Sequence, residues 1–232
     1  MSPEAATHEV AVVVPAFRAS RTIADVVTRV RAAVPLGTVL VVDDGSDDDT
    51  AALALAAGAA VASHERNLGK GRALATGLAA AAALDGMRWT VTLDADGQHP
   101  PEHIPDLLAP LVSGAADLVI GARARSGTPM PPARRFTNWL SSTLVSRGTG
   151  QAVPDSQSGF RAMTRAVVER IRPNGSRYEF ETEFLFDAAA AGFRIRSQPV
   201  PTLYGSESSH FRSITDTMRI ARTFVRHWRE IL

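Results

Sequence analysis

Three times in its first hundred residues the chain makes a short run of β-branched and other apolar residues and breaks it with a polar cluster. Val10 to Val14 ends at Pro15, Thr38 to Val42 ends at Asp43-Asp44-Gly45-Ser46, and Trp89 to Leu93 ends at Asp94-Ala95-Asp96-Gly97-Gln98-His99-Pro100-Pro101. Runs this short and this continuously apolar predict strands buried on both faces, the habit of parallel sheets. Between the runs the period changes. Ile23, Val26, Val27, Val30 and Val34 recur at helical spacing over Ser20 to Val34, with Ser20 as the expected N-cap, and Asp47 to Asp49 with Thr50 open a second helix. A short strand near Ala59 to Ala62, a helix over Arg72 to Leu84, a helix after Pro101 and a strand at Leu118 to Ile120 carry the alternation to about residue 125. Such alternation predicts an α/β fold: a mostly parallel central sheet with helices on both faces.

Sheets of this kind place ligands at the carboxyl ends of their strands, so the three polar exits form the candidate site. Asp94 and Asp96 stand two apart on an extended backbone and can share a face; Asp96 with Gln98 makes a second such pair. Oxygen donors of this kind suit Mg²⁺ or Mn²⁺, which bind through one or two carboxylates and leave positions for water and substrate phosphate. Asp43-Asp44 could accept hydrogen bonds from a base or ribose, and Pro15-Ala16-Phe17 could wall the base. The plain alternative for each is a capping turn, since a lone D-x-D is short. No G-x-G-x-x-G follows the first strand, which counts against a dehydrogenase, and Gly69-Lys70-Gly71 lacks the spacing of a P-loop. Pro15-Ala16-Phe17-Arg18 is not the Gly-rich basic loop expected of a nucleotidyltransferase. A binding module without turnover would be expected to have lost an acidic ligand, and Asp44, Asp94 and Asp96 are all there.

With 232 residues, 45% hydrophobic and 21% charged, the chain suits one α/β domain with a substantial core. A formal net charge of +1 argues against nucleic acid as a partner. The sequence has no cysteine, which removes disulfides, thiolate zinc sites and a Cys nucleophile. Met1 to Glu9 has no basic segment leading into an apolar one, so no signal peptide is expected. The low-charge tracts Ala51 to Ser63 and Ala73 to Leu84 fall short of the ~20 apolar residues of a membrane span, and the cytoplasm is the expected compartment.

The order changes at Ser126 to Pro132, a Gly/Pro-rich loop. A helix then carries Arg134, Arg135, Asn138 and Trp139; Asp155 to Arg161 reads as a polar loop, Phe180 to Ala191 as a helix bearing Glu181 and Glu183, and Phe193 to Leu203 as an extended pair interrupted by Pro199 and Pro201. Ser213 to Leu232 sets Ile214, Met218, Phe224, Val225, Trp228 and Leu232 opposite Arg219, Arg222, Arg226 and Arg229. The expected organisation is one domain over 1–212, in two halves at about 9–125 and 126–212, followed by an amphipathic helix over 213–232. That helix either packs on the domain or rests on an anionic membrane surface at the inner face.

Taken in order, Val12 to Phe17, Val41 to Ser46 with Thr50, Asn67 to Gly71, Asp94 to Pro100, Gly121-Ala122-Arg123 and Asp155 to Arg161 resemble glycosyltransferase family 2, and within it the dolichyl- or polyprenyl-phosphate mannosyltransferase-like branch. The resemblance spans about residues 9 to 218. It implies a GT-A fold and inverting transfer from a nucleotide-diphosphate sugar. By position, Pro15, Ala16, Phe17, Val42 and Asp44 would line the nucleoside pocket, Asp94 and Ala95 would lie along ribose and diphosphate with Lys70 among the donor-binding residues, and Asp96 with Gln98 would ligate the metal. Arg123 would face phosphate and Arg134 the acceptor's phosphate. Two positions depart from the branch: Asn138 stands where Ser is frequent, and Ser209-His210 where the mannosyltransferases have Ser-Lys.

The acceptor decides what catalysis must supply. A lipid phosphate is already anionic and needs only positioning, whereas a sugar or other hydroxyl acceptor needs a carboxylate base, for which Asp155, Glu181 and Glu183 are the candidates. Glu181 reads as a solvent-facing helix carboxylate.

Overall fold

All seven residues of the first strand, β1 (Val10–Ala16), are buried, because the strand lies inside the sheet with helices over both faces. The structure is a computed structural model describing residues 9–123, 132–173 and 179–201, without the side chains of 132–137 and 179. Side chains alternate along β1. Val12 and Val14 join the cluster built with α1 (Ile23–Ala33) and α4 (Ile104–Val112), while Ala11 and Val13 turn to the opposite face and meet α3 (Lys70–Ala82). Gly77 lets α3 approach so closely: a Cβ there would lie 2.3 Å from Val13 Cγ1.

The remaining elements are β2 (Thr38–Asp43), α2 (Thr50–Ala56), β3 (Ala60–Ser63), β4 (Trp89–Thr92), β5 (Leu118–Arg123), α5 (Pro132–Thr149), β6 (Arg161–Thr164), α6 (Arg165–Arg170), α7 (Glu179–Ala190) and β7 (Ile195–Val200). One seven-stranded sheet runs in the order β3-β2-β1-β4-β6-β5-β7. β1 pairs in parallel with β2 and β4, β2 with β3, and β5 with β7. Among the described strands only β6 is antiparallel, to β4 on one side and β5 on the other. The mostly parallel α/β expectation holds, and the sheet passes without a break from the first half into the second.

Several local readings change. The N-cap of α1 is Thr22, not Ser20; Thr22 Oγ1 donates to Ala95 O at 2.6 Å and ties the helix start to the β4 exit. Ser20 instead gives its backbone N–H to Asp48, whose carboxylate also accepts the Thr50 N–H ahead of α2. Arg161, expected at the end of a polar loop, opens a strand, β6, that runs to Thr164. Phe193 to Leu203 contains one strand among its described residues, β7, and its Pro199 is tolerated because β7 is an edge. The loop over Ser126 to Pro132 lies outside the described residues except for Pro132, which begins α5; Ser209-His210 and the Ser213 to Leu232 helix lie wholly outside them. Among the described residues no helix is long and apolar enough to cross a membrane.

Candidate active site

The register brings the polar exits to one edge. Pro15 lies beside Val42 and Ala16 beside Asp43, while Thr92 pairs with Val13 on one side and Arg161 on the other. Phe17, 38% exposed, projects from the β1 exit. Arg18 follows with φ +50, its N–H held by Ser46 Oγ and its guanidinium on Asp47 and over the Phe17 ring. Val42 is buried beneath α3, so only its backbone can border a pocket, and Ala95 is likewise packed into the core.

Asp44 is engaged by the protein itself. Its Oδ1 accepts Leu68 N–H at 2.9 Å and lies 2.7 Å from His64 Nδ1, and its Oδ2 accepts Gly69 N–H at 2.8 Å. Buried and so engaged, it fixes the Asn67 to Gly69 loop that starts α3. His64 passes the contact on to Thr76 Oγ1 at 3.0 Å.

That loop delivers Lys70 to the β4 exit. Its ammonium sits 2.8 Å from Asp94 Oδ1 and 2.9 Å from Glu181 Oε1, so one cation joins the turn after β4 to α7. Burial is the largest single influence and by itself would raise the Asp94 carboxyl, but the Lys70 charge and hydrogen bond, with Arg123 beyond them, together hold the acid below the ordinary carboxylate range. Gly159 packs against this carboxylate: a Cβ there would stand 2.5 Å from Asp94 Oδ1, and Thr92 Oγ1 donates to Gly159 O at 2.8 Å. Asp96 is half-buried and its Oδ1 accepts Gln98 N–H at 2.9 Å, closing a turn that sets both side chains on the β4 exit. His99 is buried against Phe160, and burial lowers its pKa, keeping the imidazole neutral; its Nδ1 has no hydrogen-bond partner among the described residues.

At the β5 exit, Arg123 Nε and Nη2 grip Asp155 at 2.7 and 2.8 Å, and the Arg123 N–H adds a third contact at 3.2 Å. Burial would push the Asp155 carboxyl up; the guanidinium instead holds it low, which makes it a poor proton acceptor. The loop behind it is anchored by Arg161, fully buried and donating to the carbonyls of Ser156, Ser158 and Glu181. Ser141 and Ser142 of α5 bond to Ser156. Arg134 belongs to α5, with its side chain outside the described set. Glu183 is buried on α7.

Among the described residues no cluster of three or more His, Cys, Asp or Glu could hold a metal by itself. A carboxylate and an amide oxygen, Asp96 and Gln98, do fit a Mg²⁺ or Mn²⁺ that completes its shell with substrate phosphate and water.

A family model for glycosyl transferase family 2 matches residues 11–172. The chain belongs to glycosyl transferase family 2. It is a glycosyltransferase, and its sheet with helices on both faces is the GT-A fold. It is 33% identical over 208 residues to polyprenol monophosphomannose synthase of Mycolicibacterium smegmatis, covering 84% of this chain and 77% of that one. With undecaprenyl-phosphate mannosyltransferase of Micrococcus luteus it shares 33% over 205 residues, 81% of each chain. These relatives lie in the polyprenyl-phosphate sugar transferase branch. Among solved structures, glucosyl-3-phosphoglycerate synthase of Mycobacterium tuberculosis, crystallised with Mn²⁺, UDP-glucose and phosphoglyceric acid, superposes with a TM-score of 0.77 at 26% identity, over 97% of this chain and 82% of that one.

For this family 2 transferase the largest correction concerns Glu181. It is 3% exposed rather than solvent-facing. A sign was present in the sequence: Glu181, Phe184, Leu185 and Ala188 fall on one helical face, and that face is otherwise apolar. The depressed carboxyls also set a pH dependence. Asp155 and Asp94 titrate lower folded than unfolded, so their contribution to stability is complete above the unfolded value near ~3.9 and is lost as pH falls through the folded values. Unfolding free energy should therefore drop below about pH 4, and Asp155→Asn should flatten that drop in a urea titration across pH.

Proposed function

We propose that this transferase moves a sugar from a nucleoside-diphosphate sugar to a polyprenyl phosphate or similar lipid phosphate, inverting the anomeric carbon. One observation carries the reading. The Lys70–Asp94 pair, the Asp96–Gln98 turn and the Arg123–Asp155 pair converge on one sheet edge of a family 2 chain whose relatives are named for polyprenyl and undecaprenyl phosphates.

Pro15, Ala16 and Phe17 border the nucleoside, with the backbone of Val42 beside them, while Asp44 acts at one remove by holding the loop that carries Lys70. Asp94 and the backbone of Ala95 run along ribose and diphosphate. Asp96 and Gln98 would hold Mg²⁺ or Mn²⁺, which would supply Lewis-acid stabilisation of charge on the departing diphosphate. Mn²⁺ in the solved synthase complex supports such an ion. Lys70 adds a fixed positive charge beside the same diphosphate. Arg123, aimed by Asp155, faces phosphate, and Arg134 on α5 grips the acceptor's phosphate, which attacks as an anion without a base.

A hydroxyl acceptor is the second reading, favoured by the phosphoglyceric acid bound to the solved synthase and by the burial of Glu183, the carboxylate that would serve as base. Arg134→Ala tests the first. With a lipid-phosphate acceptor it should raise the acceptor KM about 10- to 100-fold, as expected for losing ~1.5 to 3 kcal/mol of charge-assisted bonding, and leave the donor KM unchanged. Equal losses for donor and acceptor would move Arg134 to the diphosphate side.

A further inference from the structure

We propose that Glu181 is a positioning residue for the donor: it holds the Lys70 ammonium against Asp94, so that a fixed cation meets the donor's diphosphate. The inference rests on the reading above, in which the diphosphate lies at the β4 exit.

Glu181 and Lys70 are 111 residues apart in sequence, and no local pattern requires them to meet. They meet because α7 packs on the face of the sheet that α3 covers, which sets Glu181 Oε1 2.9 Å from Lys70 Nζ while Asp94 Oδ1 lies 2.8 Å away on the other side. Lysine has a flexible four-carbon stem and freezing it costs rotamer entropy. Two carboxylates on different elements meet that cost before the donor arrives, and an ammonium with three donors keeps one for a phosphate oxygen. The ammonium also offsets the Asp94 charge that would otherwise face an anionic ligand. The backbone of Glu181 is fixed as well, since its carbonyl accepts from the buried Arg161 at 3.0 Å. The carboxylate therefore has little freedom to follow a lysine that moved.

The test is calorimetric titration of UDP and of GDP, each with Mn²⁺, into the full chain and its variants. Glu181→Ala should weaken binding of the preferred nucleotide about tenfold, the order expected when one charge-assisted bond that orders a side chain is lost. Glu181→Gln, which keeps an acceptor oxygen, should recover most of that loss. Lys70→Met should weaken binding at least as much as Glu181→Ala, and the double variant should be no worse than Lys70→Met alone, because Glu181 acts through Lys70. Should Glu181→Ala fail to fold, Glu181→Met fills the same volume without an acceptor and takes its place. Losses that multiply in the double variant, or binding within twofold of the parent after loss of the carboxylate, would overturn the proposal. A parent chain that bound neither nucleotide would instead overturn the donor reading beneath it.

Discussion

Asp96→Ala is expected to lower kcat/KM by at least about a thousandfold, since on the proposed reading it removes a carboxylate that would hold the metal and so stabilise the leaving diphosphate, an effect of several kcal/mol. The fold should survive. Asp96 is half-buried at the end of a strand, and the bond lost, from Gln98 N–H, is worth about 1 kcal/mol. Nucleoside-diphosphate binding should also cease to respond to added Mg²⁺ or Mn²⁺. Turnover of the variant at the parent rate, measured as nucleoside-diphosphate release, would refute the assignment of Asp96 to the metal.

The second large effect is expected at the β5 exit. Asp155→Ala takes the carboxylate from a largely buried arginine that grips it through two side-chain bonds, and breaking a buried pair from one side costs about 3 kcal/mol. For a chain of this length that is a fall in Tm of roughly 6 to 12 °C. Activity should fall as well, because Arg123 is no longer aimed. The two consequences can be separated. Arg123→Met combined with Asp155→Leu removes both charges, should recover most of the stability, and should remain inactive. A thermal scan beside a transfer assay checks both, and a fully active double variant would mean that Arg123 serves only the fold.

The strands were legible where physics acts locally. Val10 to Val14, Thr38 to Val42 and Trp89 to Leu93 are apolar because helices cover both faces, and any chain with those runs must bury them. β6 was not legible. Arg161 to Thr164 is four residues long and opens on an arginine, and what makes it a strand is a gap between β4 and β5 that only the assembled sheet defines. Arg161 can lie inside because three backbone carbonyls meet its guanidinium, partners no spacing rule could supply. The site divides the same way. Asp94, Asp96 and Gln98 share one turn and could be read together, as could the exit of β1 beside that of β2. At Asp44 the strand-end position was legible, but not that its oxygens meet backbone N–H groups 24 and 25 residues further on. Glu181 carried the opposite lesson, a carboxylate on a helix that seemed solvated only while Lys70 was out of sight.

The central claim is that this family 2 transferase passes a sugar to a lipid phosphate with inversion, and the stereochemistry of the product tests it most directly. Incubated with Mn²⁺, polyprenyl phosphate and the α-linked nucleoside-diphosphate sugar that a donor screen selects, the chain should yield a glycosyl phosphate lipid whose NMR coupling reports the β anomer, with one nucleoside diphosphate released per lipid modified. An α-anomeric lipid, or release of nucleoside diphosphate at the same rate with no glycosylated lipid formed, would contradict it.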